Sequence, residues 1–116
     1  MPAKRLSAEL SAGAPVFAAL GDATRLRLVA RLSGGWPQSI TQLSAGAAVT
    51  RQAITKHLHV LAEAGLVRGR KQGREQMWEL NLRQVQEARR RLDLIAQQWE
   101  GALARLKLMV EDDAEG

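Results

Sequence analysis

The central part of the sequence carries two helix-start signals separated by a glycine, and this spacing restricts the fold more than any other feature. Ser39 is followed three residues later by a glutamine, which is the capping-box pattern of a helix N-terminus. The short helix that begins there should end near Gly46, because glycine is the preferred residue just past a helix. Thr50 then caps a second helix, Arg51–Ala64, which Gly65 terminates. The order of short helix, turn and capped amphipathic helix predicts a helix-turn-helix.

The flanking segments complete the predicted order of elements. Upstream, Asp22 is a good N-cap for one of two further helices. Downstream, two strand-like segments flank a tight turn in which Gly73 supplies the positive φ. Asn81 caps a last helix, predicted to run to about Val110. The predicted fold is mainly α with a small β-hairpin, a winged helix-turn-helix that is dimeric through its N- and C-terminal helices.

The helix Arg51–Ala64 has one apolar face and one polar face. The polar face carries hydrogen-bonding and cationic side chains, and its single acid, Glu63, lies near the far end. Such side chains suit the DNA major groove, where base edges present donors and acceptors and phosphates attract cations. The alternative is an ordinary solvated face, but such a face usually mixes Glu with Lys at i,i+4 spacing. The candidate DNA-binding residues of this helix are Arg51, Gln52, Thr55, Lys56 and His59.

The predicted wing is also basic. A basic loop beside a recognition helix is well placed to contact phosphates or the minor groove, although it could serve only as a solubilising turn. We expect Val67, Met77 and Leu80 to pack inward, whereas Trp78 could lie at the surface or in an interface. The chain has a net charge of +5, and four acids lie in its last six residues, so the remainder is more basic still. The candidate DNA-binding residues of the wing are Arg68, Arg70, Lys71 and Arg74.

Apolar residues of the last helix repeat every seven positions in two series offset by three, from Val85 and from Ala88. This a/d pattern spans four heptads and is typical of a helix that packs along a partner helix. A chain of 116 residues has little core of its own to cover so long a stripe, so we expect a homodimer. Packing onto the first helix of the same chain is the alternative, and both can hold in part. The candidate interface residues are Leu6, Leu10, Phe17, Val85, Leu92, Ile95, Trp99 and Leu106.

Composition limits the remaining possibilities. The chain has no cysteine, which excludes disulfides, thiolate metal sites and cysteine nucleophiles and is compatible with a cytoplasmic protein. No catalytic motif is found, and no apolar stretch is long enough for a transmembrane helix, so an enzyme and a membrane partner are not expected. We assign residues 1–110 to a winged helix-turn-helix and dimerisation domain, and residues 111–116 to an acidic, disordered tail.

With these segments placed, the chain resembles the ArsR-type winged-helix repressors from about Val16 to Val110. The resemblance rests on residues 17–32, FAALGDATRLRLVARL, and on residues 54–67, ITKHLHVLAEAGLV. It implies a dimer built from the first and last helices, and operator DNA read by the fourth helix and its wing. Carried over by position, the base readers would be Gln52, Thr55, Lys56 and His59, whereas His57 would be structural.

The chain departs from the best-known members of this family in its metal ligands. Those members bind metals through cysteines before the turn or through acids and histidines on the last helix. Here residues 41–47 contain no cysteine, and residues 81–116 contain neither cysteine nor histidine. His57 and His59 are two positions apart on one helix and diverge, so we predict no metal site and no cofactor.

Taken together, these patterns predict a sequence-specific DNA-binding transcription regulator, and the resemblance implies a repressor. It would bind double-stranded operator DNA with inverted-repeat symmetry as a homodimer. The alternative function is a winged-helix module that binds a protein or RNA through the same basic face. The sequence identifies no small-molecule effector.

Overall fold

The computed structural model describes the backbone of residues 1–115 and the side chains of residues 1–113. Helices and strands follow one another in the order that the sequence predicts, with one additional short strand. The elements are α1 (Ala3–Leu20), α2 (Ala23–Leu32), β1 (Gln38–Ser39), α3 (Ile40–Ser44), α4 (Arg51–Glu63), β2 (Val67–Gln72), β3 (Glu75–Leu80) and α5 (Leu82–Glu115).

Both predicted caps of the helix-turn-helix are confirmed. The backbone N–H of Gln42 donates to the Ser39 hydroxyl at 3.2 Å, and the Ser39 N–H donates to the Gln42 side chain at 2.9 Å. The Thr50 hydroxyl accepts from the N–H of Ala53 at 3.1 Å at the start of α4. Gly65, just past α4, has a φ of +80°, a conformation that most side chains avoid.

The small sheet has three strands in the order β1-β3-β2, all antiparallel, where the sequence predicts only a hairpin. In the hairpin Gln72 pairs with Glu75, and Gly73 has the positive φ that the tight turn needs. The third strand, β1, is two residues long, and its Ser39 pairs with Met77. A strand of two residues is too short to show an alternation of polar and apolar residues in the sequence. Its Ser39 is also recognised there only as the cap of α3.

The core lies between α4, the sheet and α2. The predicted apolar face of α4 is confirmed, since Ile54, Leu58 and Leu61 are buried. Two expectations for the hairpin are wrong, the inward position of Met77 and the surface or interface position of Trp78. Trp78 is 5% exposed and packs in the core with Leu80, whereas Met77 is only half-buried. Strand geometry explains this outcome, because residues two apart share a face and neighbouring residues do not.

Helix α1 packs along the first half of α5. Glu9 accepts a hydrogen bond from Arg90 at 2.6 Å, which lowers the pKa of this carboxyl, and it lies 3.8 Å from Arg91. The two helices pass close together at Gly13, because a Cβ there would lie 2.6 Å from Cδ of Arg91 and 2.9 Å from the Phe17 ring. Close packing of these helices therefore requires the absence of a side chain at Gly13.

Gly13→Ala is expected to destabilise the protein although alanine favours a helix more than glycine does. The Arg91 side chain is only 15% exposed and has little room to move, so overpacking should lower the free energy of unfolding by about 1–3 kcal/mol. Gly101→Ala is the matched control, because only the end of the Arg105 side chain lies near its Cβ. Urea unfolding of both variants gives the comparison, and a Gly13→Ala protein as stable as Gly101→Ala would contradict this account of the helix contact.

Helix α5 continues to Glu115, beyond Val110, where the sequence-based prediction ends it. No glycine or proline occurs between these positions, so nothing in the local sequence breaks the helix. Residues 111–113 of the predicted acidic tail are therefore helical and exposed. The side chains of Ala114 and Glu115, and the whole of Gly116, lie outside the residues that the structure describes.

Candidate nucleic-acid interface

The polar face of α4 points away from the core. Gln52, Lys56 and His59 are exposed, and Arg51 is exposed at the N-terminus. Thr55 is half-buried, and its hydroxyl donates to the carbonyl of Arg51 at 2.9 Å. The predicted helix residues are thus brought onto one surface, and four of the five have side chains open to a partner.

Helix α4 makes polar contacts with α2 and its N-cap on the side opposite this surface. Nη1 of Arg25 lies 3.2 Å from Nδ1 of His57, and Nε of Arg25 donates to the carbonyl of Ala19 at 2.6 Å. Asp22 caps α2 by accepting the N–H of Arg25 at 3.0 Å, which lowers the pKa of its carboxyl. The Asp22 carboxylate also lies 3.8 Å from His57. His57 therefore contacts α2 rather than the surface that carries Gln52, which agrees with a structural role.

Arg51 connects α4 to α3. Its Nη2 donates to the Thr41 hydroxyl at 3.0 Å, and both side chains are exposed. Thr41, Arg51 and Arg74 line one shallow depression at the edge of this surface, together with Glu75. Thr41 is absent from the sequence-based candidates, because the capping box explains the start of α3 without it.

The wing presents its cations to solvent. Arg68, Arg70, Lys71 and Arg74 are all exposed. Arg68 and Arg70 lie on one face of β2, 3.8 and 4.0 Å from the carboxylate of Glu79 on β3. Exposed pairs of this kind contribute little to stability, so both arginines can exchange Glu79 for another anion. Sequence reasoning missed Glu79, although its position opposite Arg68 follows from the strand register.

The wing and α4 meet at one aromatic contact. The rings of His59 and Trp78 lie 5.7 Å apart in an edge-to-face arrangement. Since Trp78 is buried in the sheet and His59 is exposed on α4, this contact joins the helix surface to the base of the wing. The two groups of predicted DNA-binding residues therefore lie on elements that pack against each other.

The predicted interface residues and the rest of the heptad stripe differ in how far their own chain covers them. Val85 and Ala88 pack against the core of their own chain, so the first heptad of α5 is covered without a partner. Beyond them the stripe is open, with Trp99 64% exposed. The other exposed members of the stripe are Leu92, Leu106 and Met109, while Leu6, Leu10, Phe17, Ile95 and Ala102 are half-buried.

The described part of the chain shows neither a cluster of metal-ligating side chains nor a helix that could cross a membrane. No group of three or more His, Asp or Glu side chains there is placed to hold a metal ion. Nor does any helix in that part combine the length and the apolar character that a membrane crossing requires. The absence of a regulatory metal stays a prediction from the ligand pattern.

Comparisons with known proteins give one consistent result. A family model described as a helix-turn-helix domain matches residues 20–70. An HTH-type transcriptional regulator of Mycobacterium tuberculosis is 31% identical over 97 residues, which cover 84% of this chain and 87% of that protein. The structure of an ArsR-like transcriptional regulator from Rhodococcus is similar with a TM-score of 0.71 and 38% identity, covering 89% of this chain and 93% of the other.

A further similarity concerns the fold alone. The homodimeric winged helix-turn-helix DNA-binding domain of a Mycobacterium bovis protein superposes with a TM-score of 0.61 at 21% identity, covering 84% of this chain and 89% of that domain. The mainly helical winged helix-turn-helix fold predicted from the sequence is thereby confirmed. The shared names also confirm a transcription regulator rather than an enzyme.

Proposed function

Because the chain belongs to the ArsR-type family of winged helix-turn-helix transcription regulators, which bind DNA, we propose that it is a repressor that binds an inverted-repeat operator as a homodimer. The observation that carries this proposal is that the polar face of α4 and the cations of the wing are exposed on one packed unit, in which Arg51 and Arg74 line the same surface depression. The repressor role is carried over from the family resemblance.

The shape of this surface fits duplex DNA. Helix α4 has 13 residues, and a helix of about 10–12 Å in diameter enters a major groove that is about 12 Å wide. Gln52 and Lys56 are one turn apart on the exposed face and would reach base edges, flanked by Thr55 and His59. Arg51 and the four wing cations would contact phosphates, which fix the register of the helix in the groove.

The dimer is supported by the open half of the α5 stripe. A monomer rarely exposes a contiguous row of large apolar side chains, and such a row marks an interaction surface. Leu92, Trp99 and Leu106 recur at the heptad spacing that a second helix of the same kind would cover. Leu6, Leu10, Phe17 and Ile95 would complete the interface, and Val85 would border it. A two-fold dimer places its two reading surfaces symmetrically, which requires an inverted repeat.

Removing wing cations is expected to weaken binding to every duplex alike. Arg70→Ala and Arg74→Ala each remove one phosphate-binding cation per subunit, so the slope of log K against log salt should become shallower by about 0.9 for each phosphate no longer neutralised. Fluorescence anisotropy titrations at several salt concentrations measure this slope. Lys107→Ala is the control, because it removes an exposed cation from α5, far along the helix from the wing.

Two results would contradict this assignment of the wing. The first is a change in sequence preference without a change in salt slope, since that would make Arg70 or Arg74 a base reader. The second is equal or tighter binding of single-stranded RNA in competition with duplex DNA, which would favour the alternative function of the basic face.

A further inference from the structure

A cavity of about 180 Å³ lies inside the helix-turn-helix, between α2, the end of α3 and the turn that leads to α4. Its inner wall is apolar and is formed by Leu28, Leu43 and Ile54, each at most 3% exposed. The outer wall is formed by the turn from Gly46 to Val49, whose two alanines leave the space unfilled. An apolar cavity of about 150 Å³ holds a benzene molecule, so this one has room for a six-membered ring.

The mouth of the cavity is cationic. Thr24, Arg27 and Arg31 line it, and none of the described lining residues is acidic. Arg27 is exposed, and no carboxylate pairs with it in the part of the chain that the structure describes. An apolar interior with an available guanidinium at its entrance is complementary to a small molecule that has a ring at one end and an anion at the other.

Arg31 connects this cavity to the DNA-binding surface. Its Nη1 donates to the carbonyl of Leu43 at 3.1 Å and to that of Ala45 at 2.8 Å, which anchors the end of α3 and the start of the turn to α2. An anion bound at the mouth would compete with these carbonyls for the guanidinium. The turn joins α3 to α4, so release of this anchor would alter the position of the recognition surface.

We propose that the cavity binds a small aromatic monocarboxylate, and that its occupation weakens DNA binding. The ring lies against Leu28, Leu43 and Ile54, beneath the turn from Gly46 to Val49, and the carboxylate pairs with Arg27 beside Arg31. The coupling to DNA rests on the proposed function, whereas the ligand site itself does not. A ligand shifts a conformational equilibrium only as far as its affinities for the two states differ, so the carboxylate must bind more weakly to the DNA-bound state.

Calorimetric titration with sodium benzoate tests the site directly, with benzyl alcohol as the neutral comparison. We expect one benzoate per chain with a dissociation constant of about 1 mM or tighter. Arg27→Gln should weaken benzoate binding about tenfold or more, because it removes the charge-assisted hydrogen bond. Ala48→Leu should do the same by filling the cavity, and circular dichroism checks its folding. Arg83→Gln, an exposed arginine at the start of α5, should bind benzoate normally.

The outcomes separate the ligand site from its coupling to DNA. Failure of benzoate to bind, equal binding of benzyl alcohol, or normal binding by both cavity variants would overturn the ligand site. Stoichiometric benzoate binding that leaves duplex affinity unchanged would overturn the coupling. If the wild-type protein binds no duplex at all, the proposed function fails, while the benzoate isotherms still decide the ligand site.

Discussion

Leu92→Asp is expected to convert the protein from a dimer to a monomer and to remove most of its affinity for operator DNA. The Leu92 side chain is exposed in the single chain, and the substitution places a charge in the middle of the proposed interface. Burying a leucine contributes about 1.5–3 kcal/mol, and a two-fold interface loses this contribution twice. A monomer engages only one half-site, so operator affinity should fall by about 10²–10⁴-fold.

Trp99→Ala should act in the same direction without introducing a charge. Loss of a buried aromatic side chain costs about 3–5 kcal/mol in known cores, again once per subunit. Gln97→Asp is the matched control for Leu92→Asp, because it adds the same charge to α5 at an exposed position outside the stripe. Sedimentation at micromolar concentration measures the oligomeric state, and circular dichroism confirms folding. A wild-type monomer, or a dimeric Leu92→Asp protein with normal affinity, would show that α5 packs only within its own chain.

Gln52→Ala and Lys56→Ala are expected to remove sequence discrimination rather than general affinity. Both side chains are exposed on the face of α4 that enters the groove in the proposed complex. A good base contact contributes about 1–3 kcal/mol of discrimination, and each substitution removes one such side chain per subunit. The ratio of operator affinity to random-duplex affinity should therefore fall, whereas the affinity for random duplex should change little.

The wing variants are the internal comparison for this second experiment. Arg70→Ala and Arg74→Ala should leave the affinity ratio intact and change the salt slope, which is the opposite pattern. Anisotropy competition with the operator and with a shuffled duplex of equal length measures the ratio. If the wing variants alter the ratio and the α4 variants do not, the base-reading and phosphate-binding roles are reversed.

Local signals predicted most of the helix-turn-helix. The caps at Ser39 and Thr50 and the glycines after α4 and in the hairpin act within a few residues, so their consequences can be read from the sequence. The apolar face of α4 follows from helical periodicity in the same way. These features determine where the polar face of α4 lies, so the side chains on that face can be identified from the sequence, while their contact with DNA stays a prediction.

Other features depend on contacts between distant segments. The sequence does not show that β1 pairs with β3, because this pairing joins distant segments. The burial of Trp78, by contrast, follows from strand geometry once Leu80 is placed inward, since residues two apart share a face. Glu79 near Arg68 and Arg70 depends on strand register. Similarly, periodicity alone could not show that the heptad stripe divides, with Val85 covered by its own chain and Leu92 left open. The sequence alone does not locate the end of α5 at Glu115, because a run of charged residues can be helical or irregular.

Selection of bound fragments from a random pool of duplex DNA tests the central claim most directly. The wild-type protein should enrich one motif with two half-sites related by two-fold symmetry, with centres about one helical turn or a multiple of it apart. The selected duplex should bind one dimer and should outcompete random duplex at the same salt concentration. Enrichment of no motif, or equal affinity for the selected and the random duplex, would contradict the account of α4 and the wing as a sequence-reading surface.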